Sequence, residues 1–313
     1  GFGINRCKQL GGETRAPTTA GAALLRQTIE GKVVQIACGR EHSAILVEKN
    51  DGTRKVVMCG GNAYGQLGFE PHRPSETPEL QTSALRDLSA LSDVLAPAEV
   101  PVKIQCGLDH TAILTSAGRV FAMGWGADGQ LGAGAGSTAD HAAPVQVVGV
   151  DGKQRIVDIS STTDFTLALT EDSTLYYWGN AEYGQCMTGE KIDRVLSAMR
   201  VPFSQGKAAS IAAGGSHALV LDSCGRVHVC GYGALGLGPD TISVLHPAAI
   251  KGIEGVTFIA ASTDRCLAID DERRVYSWGL GNTAGRLGNG TVSENAFAPQ
   301  QLDVDPELVD PQL

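Results

Sequence analysis

The chain has 313 residues, a net charge of −9 and 42% hydrophobic residues. That is enough for a sizeable core, with no apolar run near the length of a membrane-spanning helix. The acidic balance and the lack of any Lys/Arg run argue against a large non-specific nucleic-acid footprint, though not against a local basic patch. Glycine, at 40 of 313 residues, is far above the usual share of about 7% and follows no collagen period, so it reports turns.

In chain order, the sequence opens on Gly1-Phe2-Gly3-Ile4 running to Gln9-Leu10-Gly11. This is the first copy of a phrase made of an apolar residue, Gly, a few variable residues and Gly-Gln-Leu-Gly. It returns at Cys59–Gly68, Met123–Gly132, Trp178–Gln185, Cys230–Gly236 and Trp278–Gly281 with Leu287-Gly288. A second phrase precedes it, as Val33–Leu46 with Gly39-Arg40-Glu41-His42 and Val102–Leu114 with Gly107-Leu108-Asp109-His110. Worn copies follow at Ile156–Leu169, Ile211–Leu221 and Ile259–Ile269. Each repeat reads as a short alternating strand, a turn, a second strand, a hairpin turn such as Ser116-Ala117-Gly118, and a third strand ending in the marker glycine. A Gly-rich loop and a short outer strand such as Pro144–Val148 complete it. Four short antiparallel strands per unit are the content of one propeller blade.

Marker glycines recur at about fifty residues, with one longer gap holding an insertion from Glu70 to Val100. Thr77-Pro78 reads there as an N-cap with Pro at the first helical position. Leu80, Ala84, Leu85, Leu88, Leu91 and Leu95 fall at helical spacing, so a short amphipathic helix is expected, packed on the blade edge or docking a partner. Asp303 to Leu313 is Pro-rich and acidic and is expected to fray. The expected organisation is all-β: a single propeller over 1–313, truncated at both ends. Its repeats run at about 1–32 (partial), 33–101 (with the insertion 70–100), 102–155, 156–208, 209–256 and 257–313. The first residue lies inside a repeat, so the chain's start says nothing about a targeting signal.

Together the two phrases resemble the regulator of chromosome condensation repeat family, and the likeness covers essentially the whole chain. Within the family, Gly124–Gln130, Tyr177–Tyr183 and Gly231–Pro239 are most similar to the mitochondrial RCC-like guanine-exchange branch, as is the long spacing from Gly1 to Gln9. The resemblance implies a seven-bladed RCC-type β-propeller, of which about six blades fall in this chain. It also implies either nucleotide exchange on a GTPase or a role in mitochondrial ribosome and ribosomal-RNA maturation. The family's exchange face maps here onto Arg40, Glu41, His42, Asp109, His110, Asp164, His217 and Asp264.

Each candidate site has a plain structural alternative. Gly124-x-Gly126-x-x-Gly129 and Gly231-x-Gly233-x-x-Gly236 match a dinucleotide fingerprint, but loop follows them where that chemistry needs a helix. Their glycines are expected to serve turns and blade packing, and no cofactor is expected. His42, His110 and His217 occupy one position per blade, so they either satisfy neighbouring turns or join the face. The carboxylates Glu41, Asp109, Asp164 and Asp264 make either a field-focusing patch or a solvated rim. Trp178 and Trp278 precede marker glycines and are expected in the core. Trp125 follows its glycine and, with Asp128, is expected on the contact face. Cys38 and Cys106 share one repeat position, and Cys59 and Cys230 another, each within an apolar run, so they are expected to be buried free thiols. No Cys-x-x-Cys or zinc spacing occurs, and no metal is expected.

No Ser-His-Asp, paired-carboxylate or phosphate-loop arrangement stands out, so the expected function is a non-enzymatic scaffold. Its expected partners are proteins, with ribosomal RNA or ribosomal proteins as further candidates, in mitochondrial ribosome biogenesis. The alternative is guanine nucleotide exchange on a small or dynamin-like GTPase, mitochondrial or of nuclear Ran type. The absence of an inserted wedge hairpin favours the scaffold, and the acidic face favours exchange. A mitochondrial location is expected, with nuclear or cytoplasmic as alternatives.

Overall fold

The computed structural model describes residues 3–4, 18–19, 29–71, 85–152, 154–282, 285–292 and 295–309. By internal contacts the chain divides into two compact units, residues 1–156 with 196–198, and residues 157–195 with 199–313.

The first unit holds a two-stranded pair, β1 (Gly3–Ile4) with β2 (Thr18–Thr19), and two four-stranded antiparallel sheets. Sheet A is β3 (Lys32–Cys38), β4 (His42–Glu48), β5 (Arg54–Gly60) and β6 (Arg86–Asp87). Sheet B is β7 (Pro101–Cys106), β8 (His110–Thr115), β9 (Val120–Gly124) and β10 (His141–Gln146). The second unit holds three further sheets. Sheet C is β11 (Ile156–Ser161), β12 (Phe165–Thr170), β13 (Leu175–Asn180) and β14 (Arg194–Val201). Sheet D is β15 (Ala208–Ala213), β16 (His217–Asp222), β17 (Val227–Tyr232) and β18 (Ser243–Ala249). Sheet E is β19 (Val256–Ala261), β20 (Arg265–Asp270), β21 (Val275–Gly279) and β22 (Ala296–Gln301). Every sheet is a meander in chain order, the blade the sequence anticipates. Most of the partial first repeat, 1–32, lies outside the described residues.

Register joins the two recurring phrases. The residue ending each Gly-x-x-His turn sits opposite the marker glycine at the end of the next strand, as His42 to Gly60, His110 to Gly124, Phe165 to Gly179, His217 to Gly231 and Arg265 to Gly279. The marker must be glycine for two reasons. Gly124, Gly179, Gly231 and Gly279 have φ of 108°, 107°, 117° and 139°, which L side chains rarely adopt. A Cβ there would also run into the carbonyl oxygens of Asp109, Asp164, Ser216 and Asp264 respectively.

The cores are built between sheets. In the first unit Leu46 and Met58 of sheet A pack with Ile104, Ile113, Phe121 and Met123 of sheet B. In the second, Leu219, Leu221 and Val229 of sheet D pack with Ile259, Ala268 and Trp278 of sheet E. Trp178 and Trp278 are fully buried, as the sequence predicts. Cys59, Cys106 and Cys230 are buried free thiols, but Cys38 is exposed, on a strand that also exposes Val33, Val34 and Ile36.

The insertion holds a helix within the expected span, shorter than the spacing of its leucines suggests. Residues 72–84 lie outside the described residues, so Thr77-Pro78, Leu80 and Ala84 do too. After them come the two-residue strand β6 and a single helical turn, α1 (Ser89–Ser92). Leu88 and Leu91 are buried against sheets A and B, while Leu85 packs into a separate cluster with Ile45, Val47 and Val57. Among the described residues the helix is one turn, with Leu88 and Leu91 buried as the stripe predicts and Leu85 serving a different cluster.

Candidate functional site

The Gly-x-x-His turns and the loops after the marker glycines carry every residue singled out in the sequence. Their geometry separates the residues that hold neighbouring sheets together from those left at the surface.

All three histidines are buried, and two of them join neighbouring sheets. His42, His110 and His217 are 0%, 0% and 5% exposed. The His42 Nε2 lies 3.0 Å from the Thr111 hydroxyl of the next sheet, and that hydroxyl donates to the Gln66 carbonyl at 2.9 Å. In the second unit the His217 Nε2 meets the Cys266 thiol of the next sheet at 3.0 Å. Burial pushes the pKa values of His42, His110 and His217 down to about 4, 3 and 4, so the rings are neutral at physiological pH. Side chains with no exposed surface cannot form a contact face, so His42 and His110 leave the expected partner-binding set, while His217 keeps a small exposed edge.

Asp109 leaves it as well. Its side chain is 3% exposed and forms an ion pair with Arg40 of the preceding sheet, whose side chain is 52% exposed. Burial raises the Asp109 pKa, partly offset by the adjacent guanidinium. The backbone follows the same path, the Arg40 N–H donating to the Leu108 carbonyl at 3.0 Å.

The glutamines of Gly-Gln-Leu-Gly are also structural. Gln66, Gln130 and Gln185 are buried, and each Oε1 accepts the backbone N–H two residues earlier, from Tyr64, Asp128 and Tyr183, at 2.9 Å. Folded back in this way, they pin the loop and turn the side chain at that position outward.

What stays at the surface is a smaller set. Arg40, Glu41 and Asp264 are exposed, and Asp128 and Asp164 are half-buried. Trp125 is half-buried and stacks on Tyr64, with ring centroids 5.7 Å apart and planes 23° from parallel. Its equivalent one unit on is Tyr232, paired with Tyr183 at 5.9 Å. Tyr183 and Tyr232 are 42% and 45% exposed. Sequence reasoning passed over Tyr64, Tyr183 and Tyr232. The signal was there in their repeat positions: an aromatic two residues before the Gln, and another just after the next marker glycine. Among the described residues no group of three His, Cys, Asp or Glu side chains could hold a metal ion.

Repeated four-stranded blades, locked by buried polar bridges and topped by variable aromatic and acidic loops, define a repeat scaffold whose loops do the binding. The model of the RCC1-like domain matches residues 1–311, and the chain belongs to that family, with its all-β, RCC-type propeller fold. It is 31% identical over 335 residues to a mouse RCC1-like G exchanging factor-like protein, spanning 99% of this chain and 68% of that one. The solved structure of human WBSCR16 matches with a TM-score of 0.85 and 28% identity, over 97% of this chain and 76% of that chain. Yeast Prp20p matches with a TM-score of 0.60 and 20% identity, over 97% and 85%, which speaks to the fold alone.

Proposed function

We propose that this chain is a protein-docking scaffold, and that side chains left wholly or partly at the surface of its turns and loops, Arg40, Glu41, Trp125 and Asp128 in the first unit and Asp164, Tyr183, Tyr232 and Asp264 in the second, receive partners. The observation that carries the reading is the division of roles in those turns and loops. His42, His217 and Asp109 are buried in contacts between sheets and Gln66, Gln130 and Gln185 within their loops, while the side chains left at the surface are mostly aromatic or acidic. Aromatic anchors within a polar rim are the composition of a contact hot spot. The setting we infer is the mitochondrion, in ribosome biogenesis, with a ribosomal protein or ribosomal RNA in the assembly. This rests on the loops shared with the mitochondrial branch of the family.

The second reading is guanine nucleotide exchange, favoured by the 31% identity to a relative named as a G exchanging factor-like protein. It needs no catalytic side chain of its own, only a face that binds the nucleotide-free GTPase better than the loaded one. A nucleotide-release assay with candidate mitochondrial GTPases separates the two. The scaffold reading expects no acceleration of release, and a strong acceleration overturns it in favour of exchange. Docking itself is tested by Glu41→Lys and Asp264→Lys, each exposed and so harmless to the core. Both should weaken partner recovery from a mitochondrial extract, most at low salt.

A further inference from the structure

In the first unit an arginine is seated on an aspartate of the next sheet, and in the second the equivalent aspartate faces no equivalent arginine. In the first, Arg40 donates its backbone N–H to the Leu108 carbonyl at 3.0 Å and lays its guanidinium on Asp109, the residue after Leu108. In the second, Gly215 donates its N–H to the Thr263 carbonyl at 2.9 Å, and Asp264 follows Thr263. Position for position, Gly215 stands where Arg40 does and Asp264 where Asp109 does. Gly215 brings no side chain, and among the described residues no salt bridge reaches Asp264.

The space is open and shaped. A pocket of about 140 Å³ is lined by Tyr183, Ser216, His217, Tyr232, Asp264 and Leu280. A water's share of liquid volume is about 30 Å³, so the pocket holds a guanidinium head and part of its stem. The two tyrosine rings are inclined at 33° to one another, each with more than two-fifths of its surface exposed. His217 is neutral through burial and does not repel a cation. Arg265, next in sequence to Asp264, passes Gly279 towards Gly281 and is not part of the lining.

We propose that this pocket receives an arginine side chain of a protein partner, its guanidinium on the Asp264 carboxylate and against the Tyr183 and Tyr232 rings. Arginine suits it because its planar, weakly hydrated head both pairs with a carboxylate and stacks on aromatic faces. The chain's own Arg40 on Asp109, beside the stacked Tyr64 and Trp125, shows the same chemistry satisfied internally. The inference deepens the docking reading by naming the group that the partner contributes.

The test uses the whole chain with carbon-13 in its tyrosine rings, titrated through the millimolar range with Nα-acetyl-arginine amide and followed by NMR. Tyr232→Phe assigns the ring signals. The expected result is a saturable shift of the Tyr183 and Tyr232 signals. It should weaken several-fold with Asp264→Asn, whose thermal unfolding should match the parent chain, and with the uncharged isostere Nα-acetyl-citrulline amide. Absence of a saturable shift, an equal response to the citrulline amide, or indifference to Asp264→Asn overturns the proposal. Tighter binding of free L-arginine than of the capped residue also overturns it, by making the pocket a small-molecule site. Because the probe is not the partner, failure here leaves the effect of Glu41→Lys on partner recovery intact and separately testable.

Discussion

At the scale of single residues, the buried histidines make the clearest physical claim. Their pKa values lie at about 4, 3 and 4, below the ordinary 6.5. The unfolded chain therefore takes up protons at a higher pH than the folded one. Stability from these sites is fully present above pH 6.5 and is lost as pH falls through the folded values. Glu99 acts further down. It is buried, which raises its pKa, but hydrogen bonds from Arg119 and Thr115 outweigh this and hold it at about 2. The unfolding midpoint should thus start to fall just below pH 6.5 and keep falling into the acid range. His217→Gln should flatten the upper part of that decline, and a profile level from pH 7 to 4.5 would contradict the account. Removing Arg40 leaves the Asp109 carboxylate buried and unpaired, so Arg40→Ala should cost about 2 kcal/mol in chemical denaturation. The sequence showed that the histidines occupy one position per blade, which is why a structural role could be weighed from it. It could not show that Asp109 is covered, because its partner is 69 residues away on another sheet.

At the scale of elements, the strands were legible and the insertion only in part. Period-two alternation and the hairpin turns marked the strands because each sits in a sheet with a buried face. The marker glycines could be read as punctuation, but their reason, a left-handed φ beside a neighbouring carbonyl, needs three dimensions. Gly231→Ala should therefore destabilise by about 2 kcal/mol or more, since strain and collision add. Gly52→Ala, at φ 80° with nothing within 4 Å, should cost about 1 kcal/mol from backbone strain alone. Equal midpoints for the two variants in urea would show that the carbonyl contact does not matter. In the insertion, the leucine spacing marked the single turn α1 and the burial of Leu88 and Leu91, but not that Leu85, before the two-residue strand β6, joins another cluster. Short apolar runs do not decide between helix and strand periods.

At the scale of the whole molecule, the account is a division of labour. Recurring polar residues brace neighbouring blades, and varying exposed residues meet a partner. Repetition disclosed part of the first group, because the histidines and glutamines return at fixed positions in several blades. The second was only half legible, since exposure distinguishes Glu41 and Asp264 from Asp109, and sequence treats the three alike. The most direct measurement compares quantified partner recovery with the thermal midpoint for four proteins: the parent chain, Glu41→Lys, Asp264→Lys and His217→Gln. The account predicts that the two charge reversals lose partner at an unchanged midpoint, more at low than at moderate salt, while His217→Gln lowers the midpoint. Full recovery of partners by both charge reversals at either salt would contradict it, reducing these acidic residues to solvated surface.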